Sequence, residues 1–391
     1  MRVSRADQSR LVTWWFTVDR GLIAAILSLV FVGLVLSLSA SPAVAVKKGL
    51  AEFYFFERHL IFSLAGIAVM LAISLLQPSQ VRRFAAILLL VMFVALFAVE
   101  LIGPAVNGAR RWLYVGGLSI QPSEFAKPAV IVVLAWLFAE SVRRPDMPAL
   151  PLAVLLQLML VGLLVRQPDV GQAVVLCVVW LALYLLAGLP LIGALLVGGV
   201  VAGGLLLAYL SLGHVRDRID AFLAGTPEEN SQADRALQSF IEGGFLGRGP
   251  GEGTIKTRFP DAHTDYIFAV IAEEYGVLAC LALAALVGFI VVRCLVAAMR
   301  EPRAANRLAI QGLAIAFGFQ AFVNMSVNVG LLPAKGMTLP YLSAGGSSVI
   351  AISVTLGVLL ALTRRRADPA RLTMQEPADF GGLEWGADRG R

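Results

Sequence analysis

Charge is scarce in this chain. Asp, Glu, Lys and Arg make up 15% of its 391 residues, against roughly 25% in a soluble domain. With 58% hydrophobic residues and a mean hydropathy of +0.80, that scarcity excludes an ordinary water-soluble domain. Cysteine and histidine are equally thin, three of each. Cys177, Cys280 and Cys294 stand singly in apolar runs, so neither a disulfide framework nor a zinc spacing follows. His59, His214 and His263 share no ligand spacing. Short alternating strands are missing, which excludes a membrane β-barrel. A phosphate loop is missing too: the run Gly243 to Gly253 follows no strand and ends in no Lys-Ser/Thr pair, and it reads as a flexible turn. Despite a net charge of +6, no basic patch is interleaved with aromatics, so no nucleic acid is expected.

What is present is apolar sequence in runs near twenty residues, each long enough to cross a bilayer as a helix. Ten such runs are visible, at about 21–40, 59–77, 84–103, 123–141, 150–166, 170–187, 191–212, 265–292, 308–331 and 345–363. The chain is an all-α, polytopic integral membrane protein. Residues 1–20 form an N-terminal segment, 21–363 the membrane domain, and 364–391 a polar tail expected to be disordered. The first run ends in Ala43-Val44-Ala45, which imitates a signal-peptide cleavage site. The run is longer than the ~7–15 residues of a signal core and reads as a retained helix.

If the runs alternate across the membrane, Arg82–Arg83, Arg143–Arg144, Arg300, Arg303, Arg307 and Arg364 to Arg366 fall on one side with both termini. The positive-inside rule makes that side cytoplasmic. Lys47, Lys48, Arg110 and Arg111 lie on the other side, as does the longest loop, 213–264. Within that loop Ala233, Ala236, Leu237, Phe240 and Ile241 recur at helical spacing, an amphipathic helix lying on the membrane or on the protein.

Four polar groups converge on the outer ends of the runs: Asn107 to Trp112, Gln121 to Lys127, Gln167-Pro168-Asp169, and His263-Thr264-Asp265. Acids at membrane depth are costly to desolvate, and Asp265, Glu273 and Glu274 lie on one run. Asp265 can act as a general base, its basicity raised by apolar neighbours and lowered by a nearby cation, or it can cap its own helix. Glu273 and Glu274 serve chemistry or pair within the fold. Glu124 and Lys127 are three apart, on one helix face, and can form a structural ion pair or line a pocket. Asp169 can cap the following helix or face the cavity. Arg111 suits phosphate oxygens or a lipid headgroup; Trp112 suits a sugar face or the interface; His263 is a hydrogen-bonding neighbour of Asp265. The segment Asn328 to Ser348 is broken by two prolines and several glycines, tolerated at membrane depth only where it is packed in protein or lines a cavity. Together these describe an outward polar pocket for an amphiphilic, anionic, lipid-linked substrate.

These segments resemble the SEDS family (shape, elongation, division, sporulation) of bacterial cell-wall polymerases over about residues 20–365. The resemblance rests on Asn107-Gly108-Ala109-Arg110-Arg111-Trp112, Gln121-Pro122-Ser123-Glu124, Gln167-Pro168-Asp169, and Pro260 to Phe268 with Glu273-Glu274. The stretch Gly330 to Pro340, with Lys335 and Thr338, looks like the division-type branch rather than the elongation-type one. Ala344 departs from the family, which usually has tyrosine there. The resemblance implies a peptidoglycan glycosyltransferase that acts on lipid II at the outer leaflet of the bacterial inner membrane, at the division septum. Asp265 matches its essential aspartate and Trp112 a tryptophan needed for activity. Glu124, Lys127 and Asp169 match central-cavity residues. Arg111, Lys127 and Lys335 would hold the pyrophosphate charge, or a divalent cation, magnesium or manganese, would do so with Asp265. No organic cofactor is implied. The implied partners are a class B penicillin-binding transpeptidase and other divisome proteins. A lipid II flippase is the competing class, and a scaffold that recruits the transpeptidase is a third.

Overall fold

The computed structural model describes residues 10–106, 109–211, 213–223, 231–258, 264–333 and 337–365. A short helix α1 (Arg10–Thr17) leads into α2 (Arg20–Lys47), α3 (Tyr54–Ser74) and α4 (Pro78–Ile102). Two small antiparallel hairpins follow, β1 (Ala105–Val106) with β2 (Ala109–Arg110), and β3 (Leu113–Val115) with β4 (Leu118–Ile120). Then come α5 (Pro122–Arg143), α6 (Ala149–Arg166), α7 (Val170–Leu186) and α8 (Leu191–Ser211), the loop helices α9 (Gly213–Leu223) and α10 (Gln232–Gly243), and α11 (Ile267–Met299), α12 (Ala304–Asn328) and α13 (Gly346–Thr363).

Among the described residues nine helices are long and apolar enough to cross a membrane. The tenth expected run is α7, whose 17 residues still extend about 26 Å at ~1.5 Å per residue. The run that imitates a signal peptide is α2, which continues as helix through Ala43-Val44-Ala45 to Lys47 and buries Leu22, Ile26 and Leu29. The bundle has a clear inside. The apolar window of α13 is 83% buried, and those of α5 and α12 are each 67% buried, whereas α8 lies at the periphery with 6%. Small residues let α13 approach its neighbours. A Cβ on Gly66 would stand 2.3 Å from Ser353 Oγ, and one on Gly346 would stand 2.6 Å from the Phe62 ring.

The glycine-rich run is not a flexible turn. α11 breaks at Gly276, whose φ of 78° and ψ of 176° belong to a region open essentially to glycine alone. The break strips carbonyls and amides of their helical partners, and backbone from the glycine-rich run replaces them. Arg248 N donates to Glu273 O at 3.0 Å and Gly249 N to Glu274 O at 3.0 Å; Val277 N donates to Gly244 O at 2.9 Å and Leu278 N to Phe245 O at 3.3 Å. The approach requires glycine, since a Cβ at Gly247 would fall 2.2 Å from Glu274 O and one at Gly276 would fall 2.3 Å from Phe245 O. Gly276→Val is therefore expected to cost more than the ~1–3 kcal/mol of the backbone strain alone, read as loss of folded protein on detergent gel filtration and a lowered Tm.

α10 settles on protein. It buries Ala236, Ser239 and Gly243, and Phe240 packs on Phe268 with ring centroids 5.8 Å apart. Ile241, expected on the apolar face, is 79% exposed, because Gly243 rather than Ile241 meets α11.

Candidate active site

The acids of α11 divide into two uses. Glu273 is fully buried, and its carboxylate accepts three consecutive backbone amides, from Thr254 (2.5 Å), Ile255 (2.7 Å) and Lys256 (3.0 Å). These amides open the short 3₁₀ turn Ile255–Arg258, where free N–H groups gather partial positive charge. Glu274 pairs with buried Lys256 and with Ser39 Oγ. Lys256 Nζ also donates to Gly251 O (3.1 Å) and Ser39 O (3.4 Å), and Lys47 Nζ donates to Thr257 O. Both glutamates are therefore spent on fixing the loop between α10 and α11 against α2 and α11.

Asp265 stands one residue before the N-cap of α11, which is Tyr266 and offers no side-chain cap. Its side chain is partly exposed and its backbone is clamped. Asp265 O accepts from Asn324 Nδ2 at 3.0 Å and from Asn328 Nδ2 at 3.1 Å. Asn328 Oδ1 accepts from Ala269 N at 3.1 Å, in the first turn of α11. Ser343 Oγ donates to Thr264 O at 2.6 Å and accepts from Leu339 N at 2.8 Å. The broken segment before α13 thus props the acid from the other side.

A second centre lies deeper. Lys127 Nζ is 2.9 Å from Glu124 Oε2 and donates to Gln320 Oε1 at 2.6 Å. Glu124 Oε1 accepts from Gln172 Nε2. Gln320 in turn donates to Thr338 O at 3.0 Å, and Asn324 to Met337 O at 2.6 Å. Gln320, Asn324 and Asn328 are spaced by four and lie along one stripe of α12. That stripe joins the buried ion pair to the backbone of Asp265.

Asp169 occupies the N-cap position of α7, and its carboxylate reaches across to the start of α5, to Gln121 Nε2 at 3.1 Å and Ser123 Oγ at 3.5 Å. Burial pushes its carboxyl upward, and the Arg111 guanidinium draws it partly back. Arg111 is half-buried and spends part of its guanidinium on the fold. Its Nε donates to Gln167 O at 3.2 Å and its Nη2 to Pro168 O, so it holds the turn that carries Asp169. Trp112 follows it, partly buried, between the two hairpins. Arg111, Asp169, Glu124 and Lys127 therefore share one end of the bundle with Asp265. His263 and Lys335 lie outside the described residues, as do Asn107 and Gly108.

Gln172, Gln320, Asn324, Asn328 and Ser343 complete this site and do not stand out in the sequence as chemistry. The one available signal is the four-residue spacing of three amides, 320, 324 and 328, along the last part of α12, since uncompensated buried amides are rare.

The family described as cell cycle protein, FTSW_RODA_SPOVE, matches residues 20–368, and the chain belongs to it. The "Probable peptidoglycan glycosyltransferase FtsW" of Caulobacter vibrioides is 41% identical over 364 residues, 93% of each chain. The protein of the same name from Tolumonas auensis is 36% identical, over 92% of this chain and 96% of its own. Among solved structures, a chain from work described as "Structural coordination of polymerization and crosslinking by a peptidoglycan synthase complex" superposes with a TM-score of 0.73 at 29% identity, covering 88% of this chain and 97% of that one. The rod shape determining protein RodA of Thermus thermophilus superposes with a TM-score of 0.66 at 28% identity, over 90% and 99%.

Proposed function

We propose that the protein is a division-type peptidoglycan glycosyltransferase that polymerises lipid II into glycan strands at the septum, with Asp265 as general base. The observation that carries the assignment of Asp265 is the double amide clamp on its carbonyl. The clamp fixes Asp265 just before α11, at the end of the amide stripe that leads to the buried Glu124–Lys127 pair, while Glu273 and Glu274 within α11 are bonded to the loop. Curated relatives with the same coverage carry the glycosyltransferase name, which supports the reaction.

In the reaction Asp265 takes the proton from the 4-hydroxyl of the acceptor sugar. The oxygen forms a bond to the anomeric carbon of the donor as the bond to undecaprenyl pyrophosphate breaks, and the α-linked donor becomes a β-1,4 link. Charge then grows on the pyrophosphate. Arg111 keeps donors beyond those that hold the turn, and Lys127 and Lys335 would add positive potential. Among the described residues no three His, Cys, Asp or Glu side chains gather at one point. A magnesium or manganese ion would take an oxygen from Asp265 and the rest from phosphate and water, as such ions commonly do, and would supply neutralising charge. On this reading both termini are cytoplasmic and Asp265 faces the outer leaflet. A class B penicillin-binding transpeptidase is the partner, in keeping with a structural neighbour from a complex that polymerises and crosslinks, and other divisome proteins regulate the pair.

The purified complex, supplied with labelled lipid II, is expected to form polymer visible on a gel. Translocation of lipid II without polymer would instead establish a flippase, and recruitment of the transpeptidase with neither activity would establish a scaffold. The clamp is tested separately. Asn324→Ala with Asn328→Ala is expected to lower kcat by about 10²-fold, the scale of a ~1 Å misplacement of a reacting group, with KM for lipid II little changed. Gel filtration and transpeptidase retention check that the variant is folded.

A further inference from the structure

At the opposite end of the bundle from Asp265, a cavity of about 540 Å³ opens between the starts of α4 and α12 and the ends of α5 and α7. Its size falls in the range of small-molecule sites, roughly 300–1,000 Å³. Four arginines line it, Arg82, Arg143, Arg303 and Arg307, against one carboxylate, Glu140. That carboxylate is already committed: Arg143 Nη1 lies 3.6 Å from it and Arg144 Nε 3.5 Å. Among the described residues, Arg82, Arg303 and Arg307 have no acidic partner. Three cations, on α4 and at the start of α12, thus line one concavity without an ion-pair partner; the nearby Glu301 carboxylate accepts from Arg303 N at 3.3 Å and from Asn306 Nδ2 at 3.0 Å instead. Ala304 and Ala305, in the first turn of α12, also line the cavity, and the N-cap of that helix, Arg303, makes no side-chain cap there. Amides at a helix start add to the attraction for an anion.

The rest of the wall mixes polar Gln77, Ser79 and Asn306 with apolar side chains, of which Val142 and Leu186 are exposed, 58% and 46%. A soluble anion gains nothing from that surface, whereas an acyl-chain ligand does. The cavity also sits where apolar helices begin and end, at α4, α5, α7 and α12. We infer that it binds one anionic phospholipid from the leaflet opposite the Asp265 side, with the phosphate among Arg82, Arg303 and Arg307 and the upper chain against Val142 and Leu186. The site is separate from the proposed polymerase centre and does not depend on that reading.

The test uses the full chain in nanodiscs of phosphatidylcholine, with or without 20% phosphatidylglycerol as a trial composition (~20%, enough to supply anionic headgroups). Readouts are thermal unfolding and native mass spectrometry of retained lipid. Wild type is expected to unfold several degrees higher with phosphatidylglycerol and to retain one copy through delipidation. Arg303→Gln with Arg307→Gln is expected to lose the shift and to weaken retention about fivefold for each arginine. Arg83→Gln with Arg300→Gln removes the same charge from exposed residues outside the cavity and is expected to keep both. Arg82→Gln, on a different helix, should show a partial loss even if the double variant does not fold. Equal shifts in the cavity and control variants would overturn the site. A full shift from inorganic phosphate in phosphatidylcholine alone would overturn the lipid as its source.

Discussion

Asp265→Asn is expected to abolish glycan polymerisation while leaving the protein folded and bound to its transpeptidase. The amide keeps the size of the carboxylate and leaves the backbone clamp from Asn324 and Asn328 untouched, since both donate to the carbonyl of residue 265. What is lost is the ability to accept the proton of the attacking hydroxyl. General-base catalysis contributes about 10²–10⁴-fold, so the labelled polymer should fall by at least the lower of these factors and stay low at high lipid II. Undiminished strand growth in this variant would remove the proposed mechanism. Reduced growth that recovers with more substrate would make Asp265 a binding residue instead.

Lys127→Met is expected to have the largest effect on stability. Lys127 and Glu124 are 5% and 3% exposed, and the change strands a carboxylate inside the bundle. Breaking one side of a buried pair costs about 3–5 kcal/mol, read here as a large drop in Tm or failure to express. Glu124→Gln combined with Lys127→Met removes both charges and keeps an amide for Gln172, so most of the stability should return. Polymerisation then separates the roles. A stable double variant that polymerises normally assigns the pair to packing alone. A stable double variant that remains slow assigns Lys127 to charge stabilisation of the reaction.

The bundle was legible because desolvation leaves little freedom: a run of about twenty apolar residues with a charged end has one economical structure in lipid. Even α7, with charged or polar residues close at its start, was marked by Gln167-Pro168-Asp169. Asp265, Glu124, Lys127 and Asp169 were legible for the same reason, as costly groups at depth. Their partners were not. Nothing local in Lys256 ties it to Glu274, 18 residues on, and nothing in Arg111 points to carbonyls 56 and 57 residues away. Those pairings are set by how the loops fold back, which periodicity does not encode. The glycine run misled for a related reason. Glycine marks both freedom and close approach, and only the break at Gly276 shows that approach is meant. Glu273 and Glu274 stood equally between chemistry and pairing until the amides of Thr254, Ile255 and Lys256 claimed the one and Lys256 Nζ the other.

That break has a mechanical consequence. The stub of α11 from Ile267 to Tyr275 is laced to the loop by Glu273, Glu274 and the amides of residues 248 and 249, and the same loop holds Val277 and Leu278, beyond Gly276, through the carbonyls of residues 244 and 245. The loop therefore splints the helix across its own break, and a displacement of residues 244–249 carries both halves with it.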